Sequence, residues 1–408
     1  MRRIGRRALR FLRRGHVQHM TRRERILKTT RDERVDRLPF FHYWRHSQFG
    51  YAERDCRNRG MGMNWDRPPY VTRLHGVEIT ERRAVVDGQP LFRRTYTTPM
   101  GSVYEEERRE AGVGLWHGTR SWKSILPWVT SRLIKGPEDY SVVKYIVEHT
   151  EYVADYFPIE QAMEWLVEEG VVLDSLPHSP MQMLMIHWVG TEEGRIFYHM
   201  ADYPDLVEAL YGAVSKSRES LYDIAASSPA PVALCGDNID AVLANPILFR
   251  TYFMPQYEKQ AAVLHRQGKL MAVHMDGRLL GLKELIGQTP VDIIEAFHPP
   301  PMGDLPIGEA LAAWPGKAIW VGFPGATYEF GPEATRQYAL DLLREMGTGD
   351  RLAIAMSTEG QVSNDNLMAL TDVLASATLP LDPAAIARTM GMRRTASQRD
   401  TASGGTAC

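Results

Sequence analysis

In the run Met271-Ala272-Val273-His274-Met275-Asp276-Gly277, an imidazole and a carboxylate stand two residues apart. On an extended chain both project from one face, with Met275 on the other. Such a pair can bind a metal ion, serve as acid and base, or simply hydrogen-bond. Taken alone, a buried structural network is its ordinary fate. Other apolar runs also end in polar residues. Val232-Ala233-Leu234 passes through Cys235-Gly236 to Asp237-Asn238, Val291–Ile294 leads to Glu295 and shortly to His298, and Leu352–Met356 leads to Ser357-Thr358-Glu359-Gly360. Asp237 and Asn238 are candidates to orient a substrate's polar groups, or they form a loop Asx turn. Glu295 and His298 precede Pro299-Pro300-Pro301, which stiffens the following loop; either can serve a site, or Glu295 pairs with an arginine. His42, Tyr43 and Arg45 follow the first apolar run and are candidates to meet an anionic substrate, with packing and surface charge as the plain alternative. His178, His187 and His199 carry no spacing signal and read as ordinary hydrogen-bonded histidines.

The elements that must position these residues follow from the apolar runs. Leu38–Trp44, Val171–Leu173, Val232–Leu234, Leu270–Val273, Val291–Ile294, Ala318–Val321 and Leu352–Met356 read as buried strands, with helical segments such as Pro255–Gln267 and Glu333–Met346 between the later ones. From about residue 158 onward this alternation is that of a parallel sheet. An open doubly wound sheet announces itself with a glycine-rich first turn, and none is visible. The expected fold is a (β/α)₈ TIM barrel, in which all the polar strand ends gather on one face. Its eighth strand is placed within Met183–His187. Residues 71–108 differ, with short alternating runs around Asp87-Gly88 and a second turn at Pro99-Met100-Gly101. They read as an N-terminal β-meander insertion of about three strands covering one mouth of the barrel.

Composition bounds the rest. The 408 residues are 44% hydrophobic and 24% charged, enough for a large core, and no apolar run approaches the roughly 18 residues of a membrane span. Seven arginines and no acid fall in residues 1–19. Removing them leaves 41 basic against 50 acidic residues, a body near −9 with no broad footprint for nucleic acid. The leader reads as a basic arm for an anionic surface, as an export signal that lacks the apolar stretch after Arg13-Arg14, or as an extension upstream of the working start, since Met20-Thr21-Arg22-Arg23 looks like a natural beginning. The working body is therefore expected over 20–385, with 393–408 a disordered tail. Cys56, Cys235 and Cys408 are too few and too scattered for a disulfide framework, so a reducing cytoplasm is the default compartment.

The order of several motifs resembles the uroporphyrinogen decarboxylase superfamily. The opening Thr21-Arg22-Arg23-Glu24-Arg25-Ile26-Leu27 and Asp36-Arg37-Leu38-Pro39-Phe40 is similar to its start. So are Thr98-Pro99-Met100-Gly101-Ser102, Ile134-Lys135-Gly136-Pro137-Glu138-Asp139-Tyr140, Gly236-Asp237-Asn238, His274-Met275-Asp276-Gly277, Ser357-Thr358-Glu359-Gly360 and Asn366-Leu367. The resemblance spans roughly 20–380 and rests on order, since no single motif is diagnostic. It implies a TIM barrel and an enzyme. Around His274 the chain resembles the cobalamin-dependent methyltransferase branch, whose H-x-C and distant Cys hold a thiol-activating zinc ion. Here His274 is kept, while Asp276 and Glu359 stand at the two cysteine positions. The arginine-rich N-terminal signature of true decarboxylases is missing; Arg45-His46-Ser47-Gln48 is a faint echo of it.

One imidazole and two carboxylates suit a divalent metal, zinc first, with manganese or iron also fitting harder N/O ligation. The resemblance thus implies metal-assisted methyl transfer to or from a small molecule, with a corrinoid borrowed from a partner protein, because no H-x-x-H cobalamin loop is present. Two alternatives stand beside it. One is metal-independent decarboxylation of a carboxylated tetrapyrrole or similar acid, with Asp237 or Asp276 as acid/base and Arg45 gripping carboxylates. The other is a barrel that binds a small molecule without turning it over.

Overall fold

A computed structural model describes residues 20–108, 128–357, 362–388 and 391. The leader 1–19, the tail 393–408 and Glu359 lie outside the described residues.

Eight parallel strands close into a barrel: β1 (Phe40–Tyr43), β2 (Gly62–Arg67), β9 (Gly170–Leu176), β10 (Val232–Cys235), β11 (Leu270–His274), β12 (Ile293–Phe297), β13 (Ala318–Gly322) and β14 (Leu352–Ala355). Around the ring their order is β1-β14-β13-β12-β11-β10-β9-β2. Seven coincide with apolar runs, because a strand covered by helices outside and side chains inside is buried on both faces. The eighth is corrected. It is Gly62–Arg67, paired to β1 and β9, whereas Met183–Trp188 is a helical segment with π-type turns.

Alternation along each stave sorts side chains into two cores. Phe41, Tyr43, Val171, Leu173, Val232, Leu234, Ala272, Ile293, Ala318, Trp320, Ala353 and Ala355 pack together in the lumen. Their neighbours, among them Phe40, Met63, Trp65, Val273, Ile294, Ile319 and Ile354, face the helical shell. The register places Asn64 beside Tyr43 and Val171, and Glu295 beside His274, on lumen-facing positions. The N-terminal end of the barrel is stoppered by the helix Arg22–Thr30. A reciprocal capping box between Thr21 and Glu24 fixes its start, and Ile26 enters the lumen cluster against Gly62. Gly170 is required where β9 meets β2, since a Cβ there would overlap the Met63 carbonyl.

The insertion is more extensive than residues 71–108. β3 (Tyr70–Leu74) leaves the meander to pair antiparallel with β8 (Thr150–Ala154). Among the described residues the meander itself has four strands in chain order: β4 (Glu78–Val86), β5 (Gln89–Thr98), β6 (Gly101–Arg108) and β7 (Trp128–Ser131). Asp87 and Gly88 both have positive φ, 54° and 76°, the two-residue type I′ turn that matches strand twist. Among the described residues no helix is long and apolar enough to cross a membrane.

Candidate active site

At the C-terminal end of β11, His274 is the last residue of its strand and Asp276 lies in the loop that follows. His274 Nε2 lies 3.4 Å from Asp276 Oδ2, and its Nδ1 lies 2.5 Å from Glu295 Oε2 on the neighbouring stave. One carboxylate therefore stands at each ring nitrogen. Glu295 is almost fully buried, and burial pushes its carboxyl up to about 8. Asp276 is half-buried; burial raises its carboxyl, but the hydrogen bond and charge of His274 outweigh this and hold it below the ordinary value.

A backbone irregularity aims these groups. The register between β12 and β13 shifts between Ile294 and Phe297, and Ala296 takes φ 58°. Glu295 stays in register with His274, and the β-bulge after it turns Phe297 to the helical shell and carries His298 onto the rim. His298 is buried over Gly322, where a Cβ would overlap its imidazole. Burial lowers the His298 imidazole to about 4, against the pull of Asp276. A glycine closing a barrel strand is the local signal for this packing.

His178 and His187, read as ordinary histidines, belong to this rim. His178 Nδ1 and His187 Nε2 are 3.3 Å apart, with the rings edge-on at 4.6 Å between centroids. Burial brings His178 down to about 4, and the neighbouring charge of His274 adds to the shift. His199 is a packing residue, hydrogen-bonded to Tyr140 Oη at 3.0 Å.

Asp237 does not present a free carboxylate. It is fully buried, Oδ1 accepts from the Ser179 N–H at 2.6 Å, and Oδ2 accepts from Tyr257 Oη at 2.8 Å. With burial raising its pKa and both oxygens engaged, it pins the loop beginning at His178 rather than facing a substrate. Asn238 is exposed, and its carbonyl accepts from Gln182 Nε2 at 2.9 Å, a second tie on the same loop. His42 shares the outward side of β1 with Phe40. Its Nδ1 is 3.1 Å from the Tyr43 carbonyl, and burial lowers it to about 4, so it faces the helical shell and not the lumen. Arg45 spends its guanidinium on Asp66 at 2.9 Å while lying over the Tyr43 ring at 4.5 Å.

The lumen below His274 is polar on one side. Tyr43 Oη, both side-chain heteroatoms of Asn64, Trp320 Nε1 and Glu295 Oε1 are buried without a protein hydrogen-bond partner. They come from β1, β2, β13 and β12, while β9 and β10 contribute Val171, Leu173, Val232 and Leu234. Sequence reading missed Asn64, because its strand was not recognised, and Trp320, because an indole in an apolar run reads as packing. Among the described residues no group of three His, Cys, Asp or Glu side chains is arranged to hold a metal ion. His274 and Asp276 form a pair, and Glu359, named as the third donor, is outside the described residues.

No protein-family model matches the chain, and no curated protein matches it. Among solved structures it is similar to a methyltransferase from Methanosarcina mazei, at 12% identity and a TM-score of 0.50, over 86% of this chain and 97% of that one. It is also similar to endo-glycoceramidase II from Rhodococcus sp., at 11% identity and a TM-score of 0.32, over 53% of this chain and 66% of that one. At these identities what the chain shares with the methyltransferase is the fold.

Proposed function

We propose that this chain is an enzyme of the uroporphyrinogen decarboxylase superfamily, nearest its methyltransferase branch. Its reaction is metal-assisted methyl transfer involving a small molecule and a corrinoid carried by a partner protein. The observation that carries this reading is the two-sided clamp on His274. A tetrahedral ion with bonds of roughly 2.0–2.1 Å separates neighbouring donors by about 3.3–3.4 Å. The 3.4 Å between His274 Nε2 and Asp276 Oδ2 fits that spacing. Glu295 on Nδ1 is the outer carboxylate that orients a ligating histidine. His274, Asp276 and, outside the described residues, Glu359 would hold the ion. When bound, a divalent cation there supplies Lewis acidity toward a methyl acceptor's heteroatom.

The chain's own groups account for the rest. Glu295 Oε2 hydrogen-bonds to His274 Nδ1 and fixes which ring nitrogen faces Asp276. Asp237 and Tyr257 hold the His178 loop against the mouth. Tyr43, Asn64 and Trp320 offer uncharged donors and acceptors, which favours a small neutral or singly charged substrate over a polycarboxylate. The decarboxylation alternative asks Asp237 for acid/base work and Arg45 for carboxylate binding. Both are engaged, with Ser179 and Tyr257 and with Asp66 respectively.

The test is turnover of methylcobalamin, standing in for the partner-borne corrinoid, with small thiols and amines as acceptors. Corrinoid demethylation that depends on His274 and Asp276 is expected. No corrinoid effect on any turnover, or release of CO₂ from uroporphyrinogen, would overturn the reading.

A further inference from the structure

Strand β4 is the outer edge of the meander sheet, a long regular edge whose only blunting device is its four charged side chains, Glu78, Glu81, Arg82 and Arg83. Glu78-Ile79-Thr80-Glu81-Arg82-Arg83-Ala84-Val85-Val86 contains no proline, lysine or glycine, and it pairs with β5 over nine consecutive positions without a bulge. All nine residues are exposed, including Val85 at 72% and Ile79 at 45%. Among the described residues no strand covers its other side.

The turn fixes which backbone groups face outward. In a two-residue type I′ hairpin the flanking pair, Val86 and Gln89, exchanges its hydrogen bonds within the hairpin, and so do alternate pairs beyond it. The even-numbered residues of β4 therefore bond to β5. The N–H and C=O groups of Ile79, Glu81, Arg83 and Val85 point to the free edge.

We infer that this edge pairs antiparallel with β4 of a second copy of the chain, joining two meanders into one continuous sheet about a two-fold axis. Parity of the outward groups requires a register centred on a residue, and those that pair at least seven of the nine positions are centred on Glu81, Arg82 or Arg83. Centring on Glu81 sets that carboxylate against its own copy, and centring on Arg83 sets two guanidiniums face to face. Centring on Arg82 places Glu81 opposite Arg83 and Ile79 opposite Val85, each twice. Those are favourable cross-strand pairs on hydrogen-bonded positions. The one like-charge meeting is Arg82 with its copy, at a non-hydrogen-bonded position on the axis. Glu81, which pairs with Arg94 at 2.7 Å within its own sheet, thereby stands between two cations.

Sedimentation equilibrium of the full chain and three variants tests this. Wild type is expected to show a reversible monomer–dimer equilibrium. Arg83→Pro removes one outward N–H and leaves the β5 ladder intact, and it should weaken dimerisation at least about tenfold. Val85→Lys should weaken it as well, without touching the backbone, which covers the case in which proline unfolds the hairpin. Arg82→Thr relieves the axial repulsion and should tighten the dimer several-fold. A monomer at every concentration, or a dimer indifferent to both Arg83→Pro and Val85→Lys, would overturn the inference; an Arg82→Thr dimer no tighter than wild type would overturn the register.

Discussion

At the scale of single residues, burial decides what the titratable groups do. Four of the polar residues singled out by type, His42, Asp237, Glu295 and His298, are buried, and burial is the leading cause of every shift among them. His42 illustrates the consequence for stability. Its folded pKa is about 4 against an ordinary 6.5. Between those values the unfolded chain takes up a proton that the folded chain refuses, so stability present above pH 6.5 is lost as pH falls through 4. His42→Gln should flatten that limb by up to about 3 kcal/mol, read from urea unfolding at pH 7 and pH 4.5. The unpartnered lumen groups make the opposite case. Tyr43→Phe removes a buried hydroxyl that has no protein partner, and should leave stability unchanged or raise it by about 1 kcal/mol while impairing turnover. A thermal melt beside an activity assay separates the two effects; a loss of stability would mean that the hydroxyl is a structural contact.

Elements supply the aim, and here the sequence was legible only in part. The strand-end rule placed His274, Asp276, Glu295 and His298 at one end of the barrel, and they lie there, because a parallel barrel sends every strand terminus to one face. It assigned Asp237 to the same task and could not see that Ser179 and Tyr257, far away in the chain, consume its oxygens. Nor could it see the bulge at Ala296 or the shelf at Gly322, which exist only once β12 lies against β13. Gly322→Ala should push the His298 ring out of place, detectable as a shifted His298 imidazole resonance and reduced turnover with the fold retained. Ala296→Gly relieves a left-handed residue, and should be neutral or stabilising by about 1 kcal/mol, whereas Ala296→Val should destabilise by more than that. Equal effects of glycine and valine in a denaturation series would mean that the bulge is not under strain.

For the whole molecule, apolar periodicity revealed seven staves and hid the eighth for a physical reason. β2 carries Asn64, Asp66 and Arg67 among its six residues, so it does not read as a buried strand, while the apolar Met183–His187 segment is a helix lying on the shell. Beneath the ring Gly62 leaves room for Ile26 of the first helix, whose Cδ1 a Cβ there would meet at 3.1 Å. Ile26→Ala should cost about 2–5 kcal/mol in chemical unfolding, as a truncation in a fully buried site does.

We propose that His274, clamped between Asp276 and Glu295, is one of three protein ligands of a divalent-metal centre. Isothermal titration of zinc into metal-stripped protein tests it most directly. One equivalent should bind to wild type and to the rim control His187→Ala. His274→Ala and Glu359→Ala should abolish binding, and Glu295→Gln should weaken it by about 10–100-fold. Wild-type protein that binds no zinc, manganese or iron, or zinc binding unchanged by His274→Ala, would contradict the account.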